Sequence, residues 1–183
     1  MMVRTIAIVG HDTKVMRCHT LALNDFMFGD LQPNQIEDVL KNQFVGRIGC
    51  SLQGETYIVP ISYAYDGNFI YCLAKEGKKT GIMRKNPKVC FQVDEMKTMA
   101  NWRSVIVQGE FEELKEREER TIAMQFLLNR YLPVISSVTT HLGEYWPFRP
   151  EDVNRIEGIV FRIAIKEKTG RFENNMHSPN LPG

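Results

Sequence analysis

At 183 residues, 43% hydrophobic and 25% charged, the chain is long enough to bury one sizeable core and too ordinary in composition for a fibrous or low-complexity protein. A formal net charge of +1 excludes a nucleic-acid partner recognised through a global field, so any anion site must be local. No apolar run reaches bilayer length, and Cys18, Cys50, Cys72 and Cys90 show no metal-ligand spacing. Neither a membrane span nor a metal site is expected, and free thiols in apolar stretches suit a cytoplasmic setting.

Residues 1–30 read as a polar N-terminal arm. Its "IAIVGHDTK" begins like a strand entering a phosphate loop, but no second glycine and lysine follow Gly10 at the required spacing. Its apolar part is also too short for a signal peptide. "LQPNQIEDVLKNQ" predicts a helix, with Pro33 in the first turn and Ile36, Val39 and Leu40 on one face. "FVGRIGCSL" predicts a strand in which Gly46 and Gly49 mark bends or the close approach of another group. "TYIVPISYAY" alternates Tyr57, Val59, Ile61, Tyr63 and Tyr65 against Ile58, Pro60, Ser62 and Ala64; Pro60, with no N–H, marks either an edge or a bulge. Asp66-Gly67-Asn68 then signals a hairpin into the strand "FIYCLA".

"GKKTGIMRKN" predicts a short helix that stops at Asn86, ahead of Pro87. Strands follow at "KVCFQVD", with Val89, Phe91 and Val93 on one face, at "RSVIVQGEFEEL", and at "GIVFRIAIKEKTG". Between the last two, "EREERTIAMQFLLNRYL" predicts an amphipathic helix with an apolar stripe of Ile122, Phe126 and Leu127, joined to the final strand through "HLGEYWPFRP". Residues 173–183 are left as a polar tail. Six short strands with few helices predict a mainly β chain, an antiparallel barrel decorated by helices; the βα alternation of a Rossmann sheet is missing.

The segment "EGKKTGIMRKNPK" gathers Lys78, Lys79, Arg84, Lys85 and Lys88. Two readings stay open, a solvated helix face and a seat for an anion. For the second, Gly77 permits close approach, free N–H groups open the helix, and Thr80 adds a hydroxyl. The neighbouring aromatic strand would suit a flat cofactor with an acidic tail. His11, His19, His141 and His177 show no ligand spacing; His141, near Tyr145 and Trp146, is either a pocket residue or a loop histidine without chemical role.

The ordered set VGR, the VP strand, the DG hairpin, GKK, NPKVCF, W-x-SV-x-V-x-G and the terminal FRI…TG resembles the pyridoxamine 5'-phosphate oxidase-like flavin-binding split barrels over residues 31–172. The likeness is greatest to the branch of 5-nitroimidazole resistance proteins and flavin reductases. It implies a six-stranded antiparallel split β-barrel, dimeric with a second copy, that binds FMN, or FAD, in a cleft between subunits. It implies that Val59, Pro60, Ile61 and Ser62 run beside the ring, that Lys78 and Lys79 hold the phosphate with Thr80 assisting, and that Trp102 and Ser104 approach from their own strand, with Arg47 near the phosphate. Electrons would pass from NAD(P)H or a similar donor to a small acceptor, with no side chain acting as nucleophile. Leu73 stands where that branch carries a histidine, which speaks against nitro-group reduction, and no late Trp and Arg pair supports vitamin B6 oxidation. A non-catalytic flavin or haem carrier on the same fold and a cofactor-free interaction module are the competing expectations.

Overall fold

The computed structural model describes residues 26–130 and 158–175. The arm up to residue 25, the segment 131–157 with His141, and the tail from residue 176, together with Cys18, His11, His19 and His177, lie outside the described residues. The elements run β1 (Phe26–Asp30), α1 (Pro33–Asn42), β2 (Val45–Leu52), β3 (Glu55–Tyr65), β4 (Phe69–Ala74), α2 (Lys78–Lys85), β5 (Lys88–Thr98), β6 (Asn101–Glu113), α3 (Arg117–Asn129) and β7 (Ile159–Asn175).

All strand pairings are antiparallel, in the order β1-β7-β4-β3-β2-β5-β6, and a further β7–β6 pairing closes β2 to β7 into a barrel. The six predicted strands are thus present. A seventh, β1, pairs Phe26–Asp30 with the far end of β7, from Asn175 to Arg171. The barrel is closed by length. β7 is long enough to pair with β4 through Ile159–Ala164 and with β1 through its last five residues, while its other edge follows β6.

Period-two alternation sends Ile48, Tyr63, Phe91, Val93, Val105, Val107, Phe161 and Ile163 inward, each at most 1% exposed. Helix α1 adds Ile36, Val39 and Leu40 to this core, as its spacing predicts. The Tyr63 hydroxyl donates to the Leu40 carbonyl at 2.8 Å, which satisfies a buried polar group at the helix end. The Asp66 carboxylate accepts from the amides of Asn68 and Phe69 at 2.8 and 2.7 Å and from the Tyr71 hydroxyl at 2.8 Å, with Gly67 at φ 108°; these contacts fold the predicted hairpin.

Helix α3 lies outside the barrel, and its buried face is rotated from the predicted stripe: Leu127 packs on the sheet as expected, but Ala123 and Met124 form the centre of the contact. Ala123 and Met124 are fully buried against Ala64, Tyr71 and Val160, whereas Ile122 is 51% and Phe126 38% exposed. Small Ala123 lets the helix approach the sheet closely, and that approach sets the rotation. Phe126 then stacks on Tyr71 at 5.0 Å with ring planes 7° apart.

A polar clamp ties α1 to the barrel. Lys168 Nζ bonds Glu37, and the Tyr65 hydroxyl donates to Glu37 Oε1 at 2.9 Å. Burial alone would raise the Glu37 carboxyl, but the Lys168 and Tyr65 hydrogen bonds outweigh it and hold the group below its usual range. A depressed carboxylate stabilises the fold above its unfolded pKa, and that contribution is lost as pH falls through the folded value. Glu37→Gln is therefore expected to melt a few degrees below wild type at neutral pH, with the gap narrowing as pH drops below about 4. A gap that stays constant in acid would remove Glu37 charge from the account; thermal melts against pH decide it.

Candidate functional site

Helix α2 begins directly after the turn that leaves β4, and its first turn is built from its own side chains. Thr80, fully buried, accepts the Gly77 N–H at 3.0 Å and reaches Glu76 Oε1 at 2.9 Å and the Gly77 carbonyl at 2.8 Å. Its hydroxyl therefore shapes the turn. Arg84 bonds Glu113 through two nitrogens at 2.7 and 3.1 Å and Glu76 at 2.9 Å, which anchors the helix to β6 and to its own entry.

The five clustered cations divide accordingly. Arg84 is structural and Lys85 is exposed. Lys88 opens β5 at the rim of an outer cavity, and Lys78 and Lys79 stand at the helix start. Neither Lys78 nor Lys79 makes an ion pair among the described residues. Lys78 Nζ lies 5.1 Å from the centroid of the Tyr57 ring. Lys79 is half-buried, and its charge reaches the thiols of Cys50 and Cys72, although burial dominates and pushes both thiols up. The amides of Lys78 and Lys79 fall in the first helical turn, where no intrahelical carbonyl serves them.

Beside this pair, β3 has a free edge among the described residues. It pairs with β2 through Glu55–Ser62 but with β4 only at Tyr63, Ala64 and Tyr65. Pro60 faces Arg47 in an unbroken register, so the proline marks an edge and not a bulge. The Tyr63 amide donates toward β2, to Phe44 O at 3.4 Å. By alternation the backbone groups of Ile58, Pro60 and Ser62 turn to the open side. Side chains divide the other way: Ile61 is buried and Val59 packs on the core, while Pro60 and Ser62 face outward.

On the same outer face, Asp94 binds two of the expected residues together. Arg47 donates to Asp94 Oδ2 at 2.8 Å, Ser104 Oγ donates to Oδ1 at 2.6 Å, and Gln92 Nε2 lies 3.1 Å from Oδ1 and 3.3 Å from Ser104 Oγ. Trp102, two residues along β6, turns to β7 instead, where its Nε1 donates to Glu173 at 3.0 Å and its ring meets Phe28 edge-on at 6.1 Å. It lines a separate polar cavity of about 290 Å³ together with the Glu95–Arg103 ion pair. Leu73 packs against the cluster that α3 forms with Ala64, Tyr71 and Val160. Tyr57, Gln92 and Asp94 carry no motif of their own. Only their place at alternating positions of strands that neighbour the expected residues singles them out.

Comparisons with known proteins bear on the fold and the family. A Rhizobium meliloti (strain 1021) protein of uncharacterised function is 43% identical over 70 residues, 38% of this chain and 46% of that protein, so the match spans about half that relative's length. Among solved structures, an FAD-binding protein from Mesorhizobium loti is 31% identical with a TM-score of 0.61, over 80% of this chain and 98% of the other. A candidate 5-nitroimidazole antibiotic resistance protein from Bacteroides thetaiotaomicron shares the fold at 17% identity with a TM-score of 0.62, over 81% of this chain and 90% of the other. Residues 32–172, most of the chain, match the pyridoxamine 5'-phosphate oxidase family, and the chain belongs to that family.

Proposed function

We propose that the protein is a homodimeric flavin-dependent oxidoreductase, acting in the cytoplasm, that takes electrons from NAD(P)H or a similar donor and delivers them to a small acceptor. One observation carries the reading: two lysines without ion pairs among the described residues stand at a helix start beside an unpaired, proline-bearing strand edge. A cationic seat against a stretch with open backbone groups would supply the two environments that a planar ring with a phosphate tail requires. The similarity to an FAD-binding protein at 31% identity supports it.

When bound, the flavin itself supplies the hydride chemistry. Lys78 and Lys79 would hold the phosphate of FMN, or the first phosphate of FAD, by charge-assisted bonds. Thr80 keeps the turn in shape for them. Backbone groups of Ile58, Pro60 and Ser62 would orient the ring, and Ser104, fixed by Asp94, would contact it from β6. A second copy of the chain would cover the outer face, where Val45 is 53%, Met96 67% and Ile106 39% exposed, and so exclude water from the ring. Trp102, turned toward β7 and the polar cavity, would meet the partner at its rim.

The test is an absorption spectrum of the purified protein followed by addition of NADH or NADPH without oxygen. The expected result is a two-band flavin spectrum that bleaches. A colourless protein that takes up no FMN would end the reading. A yellow protein that never bleaches would make it a flavin carrier, and a Soret band would make it a haem protein.

A further inference from the structure

We propose that the cavity on the outer face of β2, β3 and β5 is a subsite for an adenine nucleotide. It has a volume of about 410 Å³, within the range of small-molecule sites. No carboxylate is among the residues that line it.

The first argument comes from two glycines of β2. A Cβ on Gly46 would lie 2.2 Å from Phe91 Cζ, so the core explains that glycine. A Cβ on Gly49 would meet nothing nearer than the Cys90 carbonyl oxygen at 3.5 Å and Ile58 Cγ1 at 3.7 Å, both ordinary contacts. A glycine inside a strand is less stabilising than alanine, and here no neighbour in the barrel requires it. Its bare backbone instead deepens the cavity floor between Ile58 and Cys90, leaving an apolar slot for a flat ring.

The second argument is the chemistry of the walls. Gln92 and Gln108 present carboxamides. The amide nitrogen of Gln92 is engaged by Asp94 and Ser104, which leaves its carbonyl oxygen to accept a hydrogen bond. Carboxamides of this kind complement the amino group and ring nitrogens of adenine. Lys88, exposed at the rim and in no ion pair among the described residues, supplies a cation for a phosphate.

The third argument is position. Tyr57, under the Lys78 ammonium, sits between Thr56 and Ile58, and both of these line the cavity. The lysine pair and the cavity therefore lie on the two sides of one free strand edge. The adenylate could belong to FAD or to a nicotinamide dinucleotide donor. The proposal rests on the flavin reading only for that source.

The test uses the full-length Cys18→Ser protein, with and without FMN, and follows alkylation of Cys90 by N-ethylmaleimide with mass-spectrometric mapping. Mildly alkaline pH is needed because burial pushes the Cys90 thiol up. Cys72, 0% exposed and outside the cavity lining, serves as the internal control. AMP is expected to slow Cys90 alkylation by about tenfold at saturation, and FMN alone to leave it unchanged. Calorimetry on Gly49→Val should show AMP affinity down by at least about tenfold with FMN affinity retained; Gln108→Leu, which does not alter the barrel backbone, should repeat the loss.

If FAD supplies the adenylate, wild type prefers FAD over FMN by at least about tenfold and Gly49→Val erases the preference. If the donor supplies it, Gly49→Val weakens NAD(P)H binding and leaves FAD and FMN alike. Absence of AMP protection, equal protection by FMN, or unchanged AMP affinity in both variants would overturn the subsite. AMP protection without any FMN binding would instead remove the flavin reading and leave the subsite standing.

Discussion

Replacing Lys78 and Lys79 together by alanine is expected to lower FMN affinity by about 10²- to 10⁴-fold while the melting temperature stays near that of the wild type. Hydrogen bonds to a charged partner contribute about 1.5–3 kcal/mol each, and two of them give that range at about 1.4 kcal/mol per factor of ten. Lys78 is exposed, which favours the lower end. Stability should barely change, because neither lysine makes an ion pair among the described residues and surface substitutions of this kind fall within about 0.5 kcal/mol. Fluorescence titration of FMN alongside thermal melts checks both halves. Unchanged affinity would return the two lysines to a solvated helix face.

The second large effect is expected at Gly46. Its missing Cβ is the space occupied by the Phe91 ring, with Cζ 2.2 Å and Cε1 2.6 Å from where a methyl group would stand. Phe91 is fully buried and packs edge-on to Tyr63 at 5.0 Å, so the ring has no room to retreat. Overpacking of this kind costs about 1–3 kcal/mol or more, and an overlap this deep belongs at the upper end. Gly46→Ala should therefore lower the urea midpoint sharply, while Gly49→Ala leaves it unchanged or raises it. Adding Phe91→Leu to Gly46→Ala should recover part of the loss, which identifies the clash. A Gly46→Ala protein as stable as wild type would contradict the packing of Phe91 against β2.

The same two glycines show how far the sequence could be read. Both stand in one strand and both read as bends or the close approach of another group, yet only the packing separates the one filled by a core ring from the one facing a cavity. The six barrel strands were legible because alternation is a local signal. β1 was not, since Phe26–Asp30 is a strand only through pairing with the far end of β7. In α3 the large apolar residues set the expected stripe, but close packing selected Ala123 for the interface, and Ile122 was turned outward.

In the site, the helix start and its lysines were visible as GKKT after a strand. The division of labour among the cations was not, because Arg84 finds Glu113, 29 residues away, only through the sheet. Asp94 was hidden for the same reason. As a single carboxylate it carries no signal, and the registers that set Gln92 opposite Arg47, and Asp94 opposite Ser104, give it a role. Pro60 left edge and bulge open until its unbroken pairing with Arg47 decided for the edge.

The most direct measurement compares FMN with riboflavin, identical rings that differ only in the phosphate. Wild type should bind FMN at least about a hundredfold more tightly, and the Lys78→Ala/Lys79→Ala protein should bind the two alike. Equal affinity for both ligands in the wild type would contradict a phosphate seat at the start of α2.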